Sequence, residues 1–502
     1  MFRRIAINTA SSFGFRAFSL VLSFISVPVL VGTVGADGFG LILLALSVMG
    51  YFNLLNAGVP AGTVKYIAEF EAKGDRTMVD QVIASSFTFF LFAGVLVMAM
   101  VAGFAALGGL ALFQIDPEKQ EAGTRLLYVA SVLALITWPL GTFGQVLEGL
   151  QRYPENKLAI AVGDVINKGA AIVFALAGAP IEIIFLMMNI GLLVTVPLQL
   201  RMLRRGLFGW RLRLTDFRWS TLRMIFGYSL WAMLGQVAYL LIFQTDRIIL
   251  ALFLPIAALT IYHVVTMPFL AIADLSALYR SALTPAVSAA GAKRGRAGLD
   301  MFIYTLSRYS NAFIAPLAII GAFLSGPFIV LWMGEEYLPY VWIAQVACIF
   351  QLLWQSTTIL GTVFMGTGKI KRITLIALTL AILNVPLGVW WVQLIGVAGV
   401  VFSTVFVGVL AIPLEYLIAM PELEMDRKRY FLQSFLGGQW TSWLLGLVLL
   451  PAAAAMQSIT TWSGLAAVAL ALTVLFYGAN WFLSVEKRHR EMVWRCVPLF
   501  NR

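Results

Sequence analysis

The chain has 502 residues, of which 61% are hydrophobic and 12% are charged, and its mean hydropathy is +0.90. Its apolar segments run for about 20 residues, the length of a membrane-spanning helix and about twice that of a barrel strand. This balance excludes a soluble domain and an outer-membrane barrel, and indicates an all-α, polytopic membrane protein.

About fourteen spans are predicted. They are residues 8–31, 39–63, 82–108, 125–146, 158–179, 181–200, 224–252, 258–288, 301–332, 338–365, 373–394, 396–419, 434–456 and 462–484. The longest inner connection, Arg201 to Arg223, divides them into six and eight. This division predicts two six-helix lobes related by pseudo-twofold symmetry, plus a terminal helix pair.

The predicted domains follow from that division. They are an N-terminal lobe at residues 1–205, a basic linker at 206–223, a C-terminal lobe at 224–420, and the terminal pair with a basic tail at 421–502.

Basic residues mark alternate connections. One set of connections is rich in Lys and Arg, whereas the other set carries only Lys119 and Arg125. The positive-inside rule therefore predicts that both termini are cytoplasmic. The basic loops are interpreted as topology signals that contact anionic membrane lipid, and no nucleic-acid partner is expected.

The first span carries one polar stripe. Ser12, Arg16, Ser19, Ser23 and Ser26 follow each other at spacings of three and four, which places them on one helix face. A guanidinium inside hydrocarbon costs several kcal/mol unless it faces water or a partner. We therefore expect this face to line a wet interior.

Spans one, two, seven and eight hold most of the other embedded polar groups. The substrate-binding candidates among them are Arg16, Asn53, Asn56, Gln236, Arg247 and Arg280. Because guanidinium groups donate paired hydrogen bonds to phosphate oxygens, these residues predict a shared, hydrated, net-positive cavity for an anion. A lone buried Arg is more often structural, but Arg16 and Arg247 lie on corresponding helices of the two predicted lobes.

Embedded acids offer a second kind of site. Asp164 and Lys168 are four residues apart, so a local ion pair is favoured. Asp246 and Asp274 are candidates for cation coupling, with structural pairing as the equal alternative. His263 has a suitable pKa range for a proton-linked role, although a packing role is favoured.

Enzyme signatures are missing from the sequence. It has no phosphate-binding GxxxxGK[ST] loop, no HExxH motif and no cluster of Cys and His. We therefore expect no catalytic residue, no metal site and no cofactor, and an ion gradient, the membrane potential or the substrate's own gradient as the energy source.

Two groups of motifs carry a family resemblance. The first half contains Asn8, Arg16, Pro28-Val29-Leu30, Gly35-Ala36-Asp37-Gly38-Phe39-Gly40, Leu55-Asn56-Ala57-Gly58-Val59-Pro60 and Lys65-Tyr66-Ile67-Ala68-Glu69. The second half contains Thr245-Asp246-Arg247-Ile248-Ile249-Leu250 and Leu283-Thr284-Pro285-Ala286-Val287-Ser288. Together they resemble the O-antigen and exopolysaccharide flippases of the multidrug/oligosaccharidyl-lipid/polysaccharide (MOP) superfamily.

The resemblance implies a function and a place. Such a protein would lie in the bacterial inner membrane and turn an oligosaccharide on undecaprenyl pyrophosphate from the cytoplasmic to the outer leaflet by alternating access. Its partners would be that lipid-linked substrate, membrane lipid, and the glycan polymerase and glycosyltransferases of the same pathway. Arg16, and more loosely Arg280, match positions where related lipid II flippases hold pyrophosphate.

Three alternatives stay open at this point. They are a lipid II-type flippase, a cation-coupled multidrug exporter, and a polytopic glycan polymerase or glycosyltransferase. An exporter of organic cations would need an acid on the first helix, where this chain has Arg16. A polymerase would need sizeable outer loops, and the predicted ones are a few residues long.

Overall fold

The computed structural model describes most of the chain. The backbone is described at residues 2–52, 58–206, 212–293 and 295–496, and the side chains at 18–52, 58–205, 212–227, 233–277, 279–280, 300–365 and 367–491. Every regular element within these ranges is helical, as the composition predicted.

Nine helices cover the first half. They are α1 Phe2–Phe52, α2 Val59–Ala72, α3 Arg76–Ala106, α4 Pro117–Gly149, α5 Tyr153–Leu176, α6 Ile181–Met187, α7 Leu192–Gly206, α8 Trp219–Phe243 and α9 Thr245–Phe253. Short 3₁₀ turns lie at Gly109–Leu112 and Leu214–Asp216.

Ten more helices follow. They are α10 Ala257–Lys293, α11 Gly295–Met333, α12 Val341–Thr367, α13 Lys371–Ile395, α14 Val397–Leu414, α15 Arg427–Arg429, α16 Gly437–Leu449, α17 Ala453–Gln457, α18 Trp462–Leu483 and α19 Lys487–Cys496. Further 3₁₀ turns lie at Glu335–Tyr340, Met420–Leu423 and Leu450–Ala452, and π-helical segments at Glu415–Ala419 and Tyr430–Leu436.

Thirteen helical segments of the described chain are long and apolar enough to cross a membrane. From residue 76 onward, each predicted span overlaps one of these segments, and most ends agree within five residues. One of the thirteen, Phe18–Phe52, runs through most of the first two predicted spans. The predicted count of about fourteen and the pseudo-twofold symmetry remain predictions.

The start of the chain corrects the predicted bounds. Residues 32–38 were expected to form a loop, but α1 continues through them with a single non-helical residue, Gly35, at φ 75° and ψ 169°. This positive φ is one that glycine adopts readily. Pro60 was expected inside the second span, yet it lies in the first turn of α2, where proline is favoured because its missing N–H would be unpaired anyway.

The chain forms two compact units. The first unit comprises Met1–Thr260 with Gly388–Val400, and the second comprises Ile261–Leu387 with Val401–Arg502. The lobes at 1–205 and 224–420 were predicted from a repeated topology. The division into compact units does not test a repeat, so the lobes remain a prediction.

The first unit is built on the pairing of α3 with α4. Gly94 permits a close approach, since a Cβ there would lie 3.1 Å from the Leu135 Cα. Apolar side chains of α2, α3, α4, α7 and α8 form its core. The fully or nearly buried members include Val59, Ile67, Val79, Val82, Ile83, Phe90, Phe143, Val146, Leu147, Leu203 and Ile225.

A tight corner joins α1 to Ile256 and to the first turn of α10 within the first unit. The Thr260 hydroxyl donates to the Ala36 carbonyl at 2.6 Å. A Cβ at Gly40 would lie 2.4 Å from the Ile256 carbonyl oxygen, so only glycine allows this contact. Lys119 of α4 forms an ion pair at 2.5 Å with Asp37, the residue that follows Ala36. The break in α1 at Gly35 is therefore stabilised both by α4 and by the chain around the start of α10.

The second unit is organised around α11. The terminal helices α16 and α18 pack against it through buried amides as well as apolar side chains. Gln439 donates to Asn311 and to the Leu352 carbonyl, each at 2.8 Å, and Asn480 donates to the Ala312 carbonyl at 3.0 Å. Other side chains of α16 and α18, such as Leu447 and Leu470, are exposed, but one face of each helix is fixed to α11.

Candidate functional site

A polar cluster joins α1 to α5 in the first unit. Lys168 lies 2.8 Å from the Asp164 carboxylate, so the predicted ion pair is confirmed. The Lys168 ammonium also donates to the Ser19 hydroxyl at 2.7 Å and to the Ser19 carbonyl at 2.9 Å. These three contacts use all three donors of an ammonium group.

The Asp164–Lys168 cluster orients the polar stripe of α1. Ser19 donates to Asp164, while the Ser23 and Ser26 hydroxyls bond to carbonyls one turn earlier on α1. Both charged side chains are partly accessible, at 33% for Asp164 and 20% for Lys168. The stripe therefore faces α5 at Ser19, beside a neutralised pair of charges.

Several predicted residues lie outside what the structure describes. Arg16 belongs to α1, three residues before Ser19, but its side chain is not among the described ones. Asn53 and Asn56 fall in the segment between α1 and α2 that is not described. Their proposed roles remain predictions.

A helix break places Asp246. α8 ends at Phe243, and α9 starts at Thr245 after a single connecting residue, Gln244. Asp246 occupies the first turn of α9 and is 1% exposed. A carboxylate there is stabilised by the partial positive charge at a helix N-terminus.

The helix break also contacts α1. The Tyr51 hydroxyl donates to the Thr245 hydroxyl, next to Asp246. The second part of α1 thus meets the broken helix, whereas the shared, hydrated cavity remains a prediction. Arg247 is half-buried, and Gln236 is exposed on α8.

In the second unit, a chain of buried polar groups leads away from Arg280. Arg280 Nη1 donates to the Ser276 hydroxyl at 2.6 Å, one turn earlier on α10. Ser276 donates in turn to Gln355 Oε1 of α12 at 2.7 Å, and Gln355 Nε2 donates to Ser310 of α11 at 2.8 Å. Ser276, Gln355 and Ser310 are all fully buried.

This chain of bonds fixes Arg280. A serine hydroxyl has one proton, and the Gln355 carbonyl accepts it, so the Ser276 oxygen is left to accept from the guanidinium. Gln351, one turn before Gln355, donates to the same carbonyl at 3.3 Å. His263 and Asp274 lie half-buried on α10 with Arg280. Gln355 is therefore a positioning residue for Arg280.

Two further polar groups have a signal in the sequence but are not among the predicted site residues. Gln351 and Gln355 stand four residues apart inside an apolar predicted span, the same signal that singled out Asp164 and Lys168. Glu415 is a carboxylate near the end of the span predicted at 396–419. Charged residues at helix ends often extend to water, yet Glu415 is only 7% exposed.

The fold matches known membrane proteins along nearly its whole length. The lipid II flippase MurJ, in an inward closed conformation, superposes with a TM-score of 0.73 at 12% identity, covering 97% of this chain and 100% of that one. An inward-facing multidrug resistance MATE family transporter of the MOP superfamily gives 0.66 at 17% identity, covering 81% and 94%. A MOP superfamily transporter from Pyrococcus furiosus gives 0.58 at 18% identity, covering 84% and 95%.

The sequence comparisons agree with the resemblance noted above. An uncharacterized membrane protein, EpsK, from Bacillus subtilis strain 168 is 22% identical over 506 residues, covering 98% of this chain and 97% of that protein. The profile of the family described as "Polysaccharide biosynthesis protein" matches residues 5–290, more than half of the chain. The chain is therefore a multi-pass membrane protein that belongs to the polysaccharide biosynthesis protein family.

Proposed function

We propose that the protein is a flippase. It moves an oligosaccharide linked to undecaprenyl pyrophosphate from the cytoplasmic to the outer leaflet of the bacterial inner membrane by alternating access. The observation that carries the proposal is that a member of the polysaccharide biosynthesis family keeps arginines inside or at the ends of its spans, with one of them, Arg280, fixed by a buried network.

The chemistry of the substrate matches these groups. A pyrophosphate-linked glycan is polar and anionic, so it cannot cross about 30 Å of hydrocarbon unaided. Guanidinium groups bind phosphate oxygens through paired hydrogen bonds. Arg16, Arg247 and Arg280 are the proposed pyrophosphate contacts, with Asn53, Asn56 and Gln236 as glycan contacts. The prenyl tail stays in the lipid.

The proposed process needs no catalytic residue. The proposed groups for coupling transport to a cation are Asp246, Asp274 and His263, and the near-complete burial of Asp246 at a helix break supports the first. Broken helices are where transporters commonly hold coupling ions. The proposed partners are the polymerase and glycosyltransferases that act on the same glycan.

A deletion strain tests the function. We expect cells that lack the protein to lose a surface glycan, to accumulate its lipid-linked precursor on the cytoplasmic side, and to recover both on complementation. Metabolic glycan labelling measures the first, and mass spectrometry of extracted lipids measures the second.

Other outcomes of the same experiment would contradict the proposal. A lytic strain that accumulates lipid II would assign the protein to cell-wall synthesis. Normal glycan combined with raised sensitivity to cationic drugs would assign it to drug export. Exported but unpolymerised glycan would assign it to polymerisation.

A further inference from the structure

Glu415 is a buried carboxyl group that the proposed transport mechanism does not use. α14 ends at Leu414, and the chain continues into the π-helical segment Glu415–Ala419. π-helical turns are rare and are found frequently at functional sites. Glu415 is 7% exposed, although it lies near the end of a membrane-spanning segment.

The surroundings of Glu415 are apolar and aromatic. Ala411 and Ala419, four residues before and after it, are 5% and 0% exposed, and both belong to the core cluster shared by α11, α12, α13 and α14. Tyr416 and Tyr430 lie within electrostatic range of the carboxyl group. Their rings contact each other edge to face, with centroids 5.7 Å apart.

Within the described residues, no hydrogen-bond donor reaches Oε2 of the Glu415 carboxyl group. This oxygen is fully buried. The Tyr416 hydroxyl is also buried and also has no hydrogen-bond partner. Tyr430 has its hydroxyl committed to Ser307 at 3.1 Å.

Three cations on neighbouring segments also have other partners. Arg372 of α13 pairs with Glu422 at 2.6 Å, and Lys369 donates to the carbonyl of the same residue. Arg429 lies 4.9 Å from the centre of the Tyr304 ring. Glu415 therefore has no cation against it among the side chains described.

A carboxylate in such a place is strongly unfavourable. Ionised carboxyl groups in protein interiors or membranes are held by hydrogen bonds, paired cations or metal ions, because desolvation is otherwise uncompensated. A sodium ion would need several oxygen ligands, and the described surroundings offer mainly carbon. Protonation removes the charge with no further ligand.

We propose that Glu415 is a proton-binding site that couples transport to the proton gradient. In the conformation described here it carries a proton, taken from water, that forms an O–H bond on the carboxyl group. Release of that proton requires a second conformation that brings water or a cation to the group. The coupling role rests on the proposed function, whereas the protonation does not.

Infrared spectroscopy of the full chain in lipid nanodiscs tests the protonation. A protonated carboxylic acid absorbs above the amide band and shifts in heavy water, whereas a carboxylate absorbs below it. We expect the difference between the wild type and Glu415→Gln at neutral pH to show an acid band. The matched control Glu422→Gln should show a carboxylate difference, because that group pairs with Arg372.

A second variant keeps the test valid even when the first variant is misfolded. If Glu415→Gln does not fold, Glu415→Asp should keep the acid band at a shifted frequency. A carboxylate band at Glu415 in either comparison would overturn the proposal.

Proteoliposomes that contain a fluorescent undecaprenyl-pyrophosphate disaccharide test the coupling. We expect an imposed pH gradient to accelerate transport by the wild type and by Glu422→Gln, and to have no effect on Glu415→Gln. Acceleration in Glu415→Gln would overturn the coupling role. A wild type that moves no disaccharide would overturn the proposed function, while the infrared result would still decide the protonation.

Discussion

Lys168 shows how this chain keeps charge inside a span. Its partner Asp164 lies one turn away on the same helix, a spacing that the sequence displays, and Ser19 comes from a helix 149 residues earlier. Arg280 follows a similar pattern, with Ser276 on its own helix and Gln355 on another. Local spacing thus predicts the first partner of an embedded charge, and packing supplies the rest.

Arg16 is the residue on which the substrate assignment depends most. We expect Arg16→Ala to abolish surface glycan at normal protein abundance, because a pyrophosphate would lose its cation. Arg16→Lys should retain part of the activity, since it keeps the charge but loses the paired hydrogen bonds.

Glycan labelling of complemented cells measures the Arg16 variants. Arg125→Ala is a suitable control, because Arg125 is half-exposed and forms ion pairs with Glu121 and Glu182 that contribute about 0–1 kcal/mol each. Normal surface glycan in Arg16→Ala would defeat the assignment.

Asp246 tests cation coupling at the helix break. Asp246→Asn keeps the shape of the side chain and removes its charge, so we expect slower transport if that carboxylate binds a cation or proton. Initial rates in proteoliposomes measure the effect, with the exposed Glu118→Gln as the control. Full activity in Asp246→Asn would leave a structural role for this carboxylate.

The long helix α1 illustrates how tertiary contacts determine where a helix continues and where it ends. Gly35, Ala36, Asp37 and Gly38 resemble a loop in sequence, yet only Gly35 leaves the helical conformation. The helix resumes at once because the corner is held by Thr260, Ile256 and Lys119, all distant in sequence. The sequence predicted a connection of seven residues, but with these tertiary contacts only one residue, Gly35, is non-helical.

A prediction at this scale concerns Gly40. We expect Gly40→Val to reduce stability by about 1–3 kcal/mol, because its side chain would overlap the backbone at Ile256. Thermal unfolding in detergent should show a lower Tm. Gly32→Ala is the control, since a Cβ there has nothing within 4 Å. Equal Tm values for the two variants would show that the corner yields without cost.

At the scale of the whole molecule, the placement of Lys and Arg predicts the orientation in the membrane. Lys and Arg are concentrated in alternate connections, and this asymmetry follows the positive-inside rule. The proposed direction of transport depends on it, since the lipid-linked glycan must enter from the cytoplasmic side.

Reporter fusions test the orientation. We expect green fluorescent protein at the C-terminus to fluoresce, because the tail should be cytoplasmic. Alkaline phosphatase inserted among residues 109–116 should be active, because that connection should lie outside. The opposite pattern would reverse the proposed topology.

The sequence by itself determined the membrane class, the approximate position of most spans, the Asp164–Lys168 pair and the family, because these depend on composition and on spacing within one helix. The tertiary structure alone decided that α16 and α18 are fixed to α11 by buried amides, that Gln355 orients Arg280, and that Glu415 is enclosed. Each of these depends on which helix faces which. Hydrophobic spans in lipid are nearly uniform in apolar character, so their periodicity does not specify their neighbours.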